Sequence, residues 1–130
     1  MGKFILKRTA AGFHFVLQAD NGEIILVSEL YTTKCACQNG IESVRANAMS
    51  AKTEDQTLEA ITPLMHPKYE IFIDKAGEYR FRLKAKNGEG IGVSEGYKTK
   101  QACKSGIENV RENGQWAGVE FISESKVGVE

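Results

Sequence analysis

Asn21-Gly22-Glu23, Val27-Ser28-Glu29, Tyr31, Thr33-Lys34, Ala36-Cys37, Gly40-Ile41-Glu42, Val44-Arg45 and Asn47 occur a second time sixty-six residues later. The second reading is Asn87-Gly88-Glu89, Val93-Ser94-Glu95, Tyr97, Thr99-Lys100, Ala102-Cys103, Gly106-Ile107-Glu108, Val110-Arg111 and Asn113. Between Phe13–Asn47 and Tyr79–Asn113, 21 of 35 positions are identical, in a stretch too mixed in composition for low complexity to produce the match. The chain is a tandem repeat.

Within each copy the hydrophobic period changes once. Phe13, Phe15, Leu17 and Ala19 alternate with His14, Val16 and Gln18, the period of a half-buried antiparallel strand. Asp20-Asn21-Gly22 turns the chain into Ile24–Ser28. A three-residue loop with its glycine left-handed sets Leu17 against Ile25 and Phe15 against Val27, and in the second copy Leu83 against Ile91 and Phe81 against Val93. A two-residue loop would instead set Leu83 against Gly92, so the longer loop is expected. After Tyr31 the period becomes helical. Thr33 is the expected N-cap, and Cys37, Ile41, Val44 and Ala48 line one stripe. Gly40 inside that helix costs about 1 kcal/mol relative to alanine, and its return as Gly106 points to a close backbone approach. Asn113-Gly114 reads as the end of the second helix.

Outside the matched block, Phe4-Ile5-Leu6 opens as a strand and Lys68–Ile73 is its counterpart. Ser50–Gln56 reads as a polar loop, Thr57–Thr62 as a short strand before Pro63, and Val119–Ile122 as a final strand. With 130 residues, 42% of them hydrophobic, the chain holds one real core, whereas each repeat alone would be marginal. The expected organisation is one domain over 1–130, with repeat 1 and the junction in 1–66 and repeat 2 with the last strand in 67–130.

The Asn-Gly-Glu, Ser-Glu-x-Tyr and Gly-Ile-Glu-x-Val-Arg pattern, present in both copies, resembles the YegP-like family of bacterial proteins of unknown function. The resemblance implies an α+β fold: two tandem β-β-β-α-β repeats forming a single antiparallel sheet, two helices on one face, the final strands exchanged. It implies no activity and no catalytic residues.

Formal net charge is zero and 26% of residues are charged, which makes no global electrostatic case for nucleic acid or membrane. No stretch is long and apolar enough to span a bilayer, and three cysteines without a spacing framework fit a reducing compartment, so the cytoplasm is expected. Any charged partner must be read locally. Arg80, Arg82, Lys84 and Lys86 alternate along one strand face, and with Phe72 they could hold an anionic ligand or single-stranded nucleic acid. The plainer reading is a solvated face balanced by Glu70 and Asp74. The matching face of repeat 1 carries Ile5, Val16, Ile24 and Leu26, a patch suited to a protein partner or a homodimer unless the junction folds over it.

No cofactor or metal signature is present. Cys35 and Cys37 point about 200° apart on a helix, which disfavours a shared ion; Cys37 and Cys103 belong to the core stripe. Cys35 stands near a helix N-terminus, a setting that favours thiolate. His14 and His66 lack ligand spacing, and Trp116 is expected to pack. The reading is a non-enzymatic binding module using the open sheet face. The alternatives are a structural or stress accessory protein, or an enzyme with a site assembled between the repeats from Glu29, Glu95, Tyr31, Tyr97 or Cys35.

Overall fold

Each copy folds into three strands, a helix and a fourth strand. They are β1 (Lys3–Thr9), β2 (Gly12–Gln18), β3 (Ile24–Ser28), α1 (Lys34–Asn47) and β4 (Lys52–Asp55), then β5 (Lys68–Ile73), β6 (Tyr79–Lys84), β7 (Gly90–Val93), α2 (Lys100–Gly114) and β8 (Gly118–Ser123). The structure, a computed structural model, describes residues 2–123. All eight strands join one sheet in the order β4-β5-β6-β7-β3-β2-β1-β8. Each repeat's last strand therefore lies beside the other repeat's first strand. The inner pairings are antiparallel, as expected, but β4 on β5 and β8 on β1 are parallel, which makes the sheet mixed. Both helices cover the same face: Cys37, Ile41 and Val44 of α1 and Cys103, Ile107 and Val110 of α2 share one core with Phe4, Phe15, Tyr69 and Phe81.

The hairpin turn is the expected one. Ala19 donates to the Glu23 carbonyl at 2.8 Å, Gly22 donates to the Ala19 carbonyl at 3.0 Å, and Gly22 adopts φ +89°; Ala85, Glu89 and Gly88 repeat the arrangement. The strand register beyond the turn differs from expectation. A second irregularity beside Leu17 sets Leu17 against Leu26 rather than Ile25, and its counterpart sets Leu83 against Gly92. Ile25 and Leu26 are then both buried. Gly92 leaves no hole, because Leu26 on the adjacent strand fills the space where a side chain would stand: an ideal Cβ there lies 2.8 Å from Leu26 Cγ. Leu26 accordingly belongs to the core and not to the outward face.

Thr33 and Thr99 cap the helices, each Oγ1 accepting from the backbone N–H three residues on at 3.0 Å. Gly40 and Gly106 admit Tyr31 and Tyr97, whose hydroxyls stand against the helix backbone where a Cβ would be. Each tyrosine ring stacks on its repeat's strand phenylalanine, Phe15 or Phe81, at 6.4 Å. The second helix continues through Gly114 to a right-handed Gln115, so the glycine is no left-handed cap. It allows the helix ends to meet, with its Cβ position 3.1 Å from Ala48 Cβ.

The fourth strand of repeat 1 is Lys52–Asp55, inside the stretch that reads as a loop, and residues 57–62 form no strand. This edge strand is polar because its buried side chain is an ion-paired Glu54 rather than an aliphatic residue.

Candidate functional site

Paired residues on neighbouring strands face the same side, so one register row can be followed across the outward face. It runs Glu120, Ile5, Val16, Val27, Val93, Arg82, Glu70, Glu54. The row is apolar through β1, β2, β3 and β7, and charged through β6, β5 and β4.

At the charged end the expected cationic strip is matched by the protein's own carboxylates. Arg80 Nε donates to Asp74 Oδ2 and Arg82 Nε to Glu70 Oε1, both at 2.6 Å. Arg82 also donates to the Gln56 side-chain carbonyl and covers the Phe72 ring at 4.1 Å, taking the stacking surface offered by Phe72. Beside them Lys68 Nζ lies 2.8 Å from Glu54 and 3.3 Å from Glu70, all three buried. Hydrogen bonds from Gln56 and Lys68 hold the Glu54 carboxyl down at about 2. Burial pushes Glu70 up, but hydrogen bonds from Arg82 and Lys68 outweigh it and keep the carboxyl below its ordinary range. The hydrogen bond to Glu54 raises Lys68 in turn. These groups are buried on an outward face because residues 56–67 fold over this corner, Leu64 donating its N–H to Glu54 at 2.7 Å. The junction thus covers repeat 2 and not the apolar patch of repeat 1. Lys84 is half-buried beside the network, and Lys86 lies in the turn beyond the end of β6, exposed.

At the apolar end, Val16 is buried among its neighbours while Ile5 and Ile24 are half-buried. Val27 and Val93, expected opposite Phe15 and Phe81 on the core side, stand instead opposite Val16 and Arg82 on the outward face, because the register is shifted by one, and they complete the strip. On β8 the strip meets Glu120, and the exposed apolar residues of that strand, Val119, Phe121 and Ile122 at 49%, 43% and 41%, are divided between its two faces. Ile122 pairs with Lys7 on the outward side, whereas Phe121 faces the helices and carries Lys34 Nζ 4.0 Å from its ring centre. Among the described residues β8 has only β1 as a neighbour, so its other edge is open. The sequence carried a signal, three apolar residues in four, but edge position is a property of topology and could not be read from it.

Two shallow clefts lie where the hairpin of one repeat meets the helix of the other. One, about 300 Å³, is lined by Tyr31, Asn39 and Ser43 of repeat 1 and by Asn87 and Glu89 of repeat 2; its counterpart, about 360 Å³, by Asp20, Asn21, Asn109 and Glu112. Burial, then Cys37, Glu29 and Glu89, raises the Tyr31 hydroxyl, and Tyr97 is raised by burial, Cys103, Glu23 and Glu95. The structure so brings each tyrosine near two glutamates, one from each repeat. Both hydroxyls, however, are turned onto helix backbone. Cys35 is exposed, while Cys37 and Cys103 are buried in the core, where burial pushes their thiols up to about 11. Among the described residues no His, Cys, Asp and Glu cluster could hold a metal ion. His66 lies over Gly88, and Trp116 is 67% exposed rather than packed, because it occupies the link between α2 and the edge strand.

The family profile described as a domain of unknown function (DUF1508) matches residues 9–55 and 74–120, one match per repeat. The UPF0339 protein plu2779 of Photorhabdus laumondii is 38% identical over 97% of this chain and 98% of its own length. The UPF0339 protein YegP of Yersinia pestis is 39% identical over 88% and 89%. The solution NMR structure of yegP from E. coli, a protein of unknown function, superposes with a TM-score of 0.77 at 36% identity, covering 95% of this chain and 94% of that one. With the strand exchange and both repeats matched, the chain belongs to the DUF1508 (UPF0339) family, which has bacterial members and no assigned function.

Proposed function

We propose that the protein is a small non-enzymatic interaction module of the bacterial cytoplasm that takes a protein partner on the β1–β8 side of its sheet. One observation carries the reading: exposed Val119 and Phe121 on the helix side and Ile122 on the outward side stand on a strand that, among the described residues, has a neighbour on one edge only. Open apolar edges accept further strands, main-chain hydrogen bonds giving affinity and alternate side chains giving specificity. The cationic row supports an anionic ligand or a single strand of nucleic acid less well, since Arg80 and Arg82 would have to leave Asp74 and Glu70. The inter-repeat clefts support an enzyme less well: Tyr31, which lines the first, has its hydroxyl packed against Gly40, and Tyr97 does not line the second. Three free thiols, two in the core, favour a reducing compartment. No helix among the described residues is long and apolar enough to cross a membrane.

The test is a chemical-shift titration of isotope-labelled protein with two probes: a Lys-capped peptide of alternating valine and threonine, and oligothymidylate at two salt concentrations. Saturable peptide shifts along β8 and at Ile5 are expected. Salt-sensitive oligonucleotide shifts at Arg80, Arg82 and Lys84, with none from the peptide, would replace this reading with nucleic-acid binding.

A further inference from the structure

The two edges of the sheet are built differently. The β4 edge carries Lys52, Glu54 and Asp55, with Asp55 paired to Lys100 at 2.8 Å and residues 56–67 folded against the strand. Charges and a covering segment are how sheets prevent edge pairing. The β8 edge has three exposed apolar side chains and one charge, Glu120, which Lys3 neutralises from within at 3.0 Å. An edge that attracts and an edge that repels, on opposite sides of one sheet, forbid an open head-to-tail chain of molecules. They leave a closed two-fold pairing of like edges.

Resting on the interaction reading above, we propose that the partner at β8 is a second copy of this chain, pairing antiparallel about Phe121 to make one continuous sheet across two molecules. In that register Phe121 faces Phe121 of the other copy, Glu120 faces Ile122, and Val119 faces Ser123. Like charges never stand opposite one another. A register centred on Glu120 would set glutamate against glutamate, which is destabilising. The Phe121 register also joins both copies' helix-side aromatic rings, each carrying its Lys34 at the rim. On the outward side it sets Glu120 one strand away from Lys7 of the other copy, since Lys7 pairs with Ile122. Ile122 of each copy then stands between its own Lys7 and Glu120 of the other, its aliphatic body covering that ion pair.

Sedimentation equilibrium of the intact chain, from about 10 μM to about 1 mM, gives the first answer. The expected result is a concentration-dependent rise from 14.3 kDa toward twice that mass. Phe121→Lys, at an exposed position, should weaken association on the order of tenfold or more while leaving the thermal midpoint unchanged. The register is tested separately in a Cys35→Ser background. Phe121→Cys should form an intermolecular disulfide on mild oxidation, because directly opposed residues lie within disulfide reach, whereas Val119→Cys should not. A monomer at every concentration overturns the proposal, as does a dimer that Phe121→Lys leaves intact or one in which both cysteines cross-link equally. If the valine-threonine peptide still shifts β8 resonances of a monomer, the strand-accepting edge stands and only the second copy is wrong. If neither occurs, both readings fall.

Discussion

Arg111 Nη2 lies 2.7 Å from the carbonyl oxygen of Ala51, so that a helix of repeat 2 holds the start of the last strand of repeat 1. The pseudo-symmetric contact, Arg45 Nη2 to the Ala117 carbonyl at 2.6 Å, does the same for β8. Each guanidinium also lies over an aromatic ring of its own sheet half, Arg111 on Tyr69 at 4.9 Å and Arg45 on Phe4 at 5.5 Å. A lysine in either place keeps the charge and loses the planar fork that bonds and stacks at once. Arg111→Lys should cost about 1–3 kcal/mol in urea unfolding, the range for a buried carbonyl left short of its donor. Amide exchange should accelerate selectively along β4, and along β8 for Arg45→Lys; uniform acceleration would show that the clamp is not local.

Gly106→Ala sets helix propensity against packing. Alanine is the better helix former by about 1 kcal/mol, yet its Cβ would occupy the place of the Tyr97 hydroxyl, and overpacking costs about 1–3 kcal/mol. The expected outcome is net destabilisation, seen as a lower thermal midpoint. Tyr97→Phe in the same chain should return part of the loss, a non-additivity that a propensity effect would not show.

Below the junction, Lys68 separates two buried carboxylates that are register partners, Glu54 and Glu70. Lys68→Ala should cost about 3–5 kcal/mol, because both acids remain buried without it. Glu54 has a folded-state pKa of about 2 against an ordinary 4.5, so its contribution is fully present above the ordinary value and is lost as pH falls toward 2. Lys68 is shifted upward from 10.5, and its contribution is lost only as pH rises beyond that value. Thermal midpoints measured from neutral pH down to acid should fall less steeply for Glu54→Gln than for the unaltered protein.

Thiol accessibility separates the cysteines. Under native conditions an aromatic disulfide reagent should modify Cys35 quickly and Cys37 and Cys103 only at the rate of unfolding, since both are fully buried with thiols raised to about 11. Three equally fast thiols would contradict the core described above.

Separate polypeptides covering 2–66 and 67–123 should each be unfolded or self-associated, and should reconstitute the native spectrum when mixed. Independent folding of either one would overturn the reading of 1–130 as a single domain in two repeats.

Much of this architecture is legible in the sequence because the repeat tests each local reading twice. Thr33 with Thr99, Gly40 with Gly106 and the left-handed Gly22 with Gly88 each recur, and each has the local role that its pattern suggests. What could not be read depends on neighbours brought from far along the chain. Gly92 was an implausible core residue until Leu26 of the other repeat stood beside it. Lys52–Asp55 has no apolar alternation, and only the sixty-six-residue offset from Gly118–Phe121 marks it as a strand. Arg80 and Arg82 alternate as a cationic row, but the Glu70 and Asp74 that pair with them lie on the adjoining strand and turn, where the plainer reading of the row had put them. The candidate contact surface was the least legible part. Its strongest component is an edge, and a strand becomes an edge only through the pairing of all the others.

The exchange of last strands also governs the order in which the molecule can be completed as it is made. β1 occupies residues 3–9 and pairs with β8 at residues 118–123, so β1 must wait for a partner that is made after the whole of both helices. Contacts of such sequence separation close slowly, because the chain between them must be ordered first. Until translation has passed β8, the nascent chain presents the Phe4 strand with a bare flank. A first repeat standing alone therefore has an unpaired strand flank beside its core, the kind of transient edge that invites wrong pairing until β8 closes it.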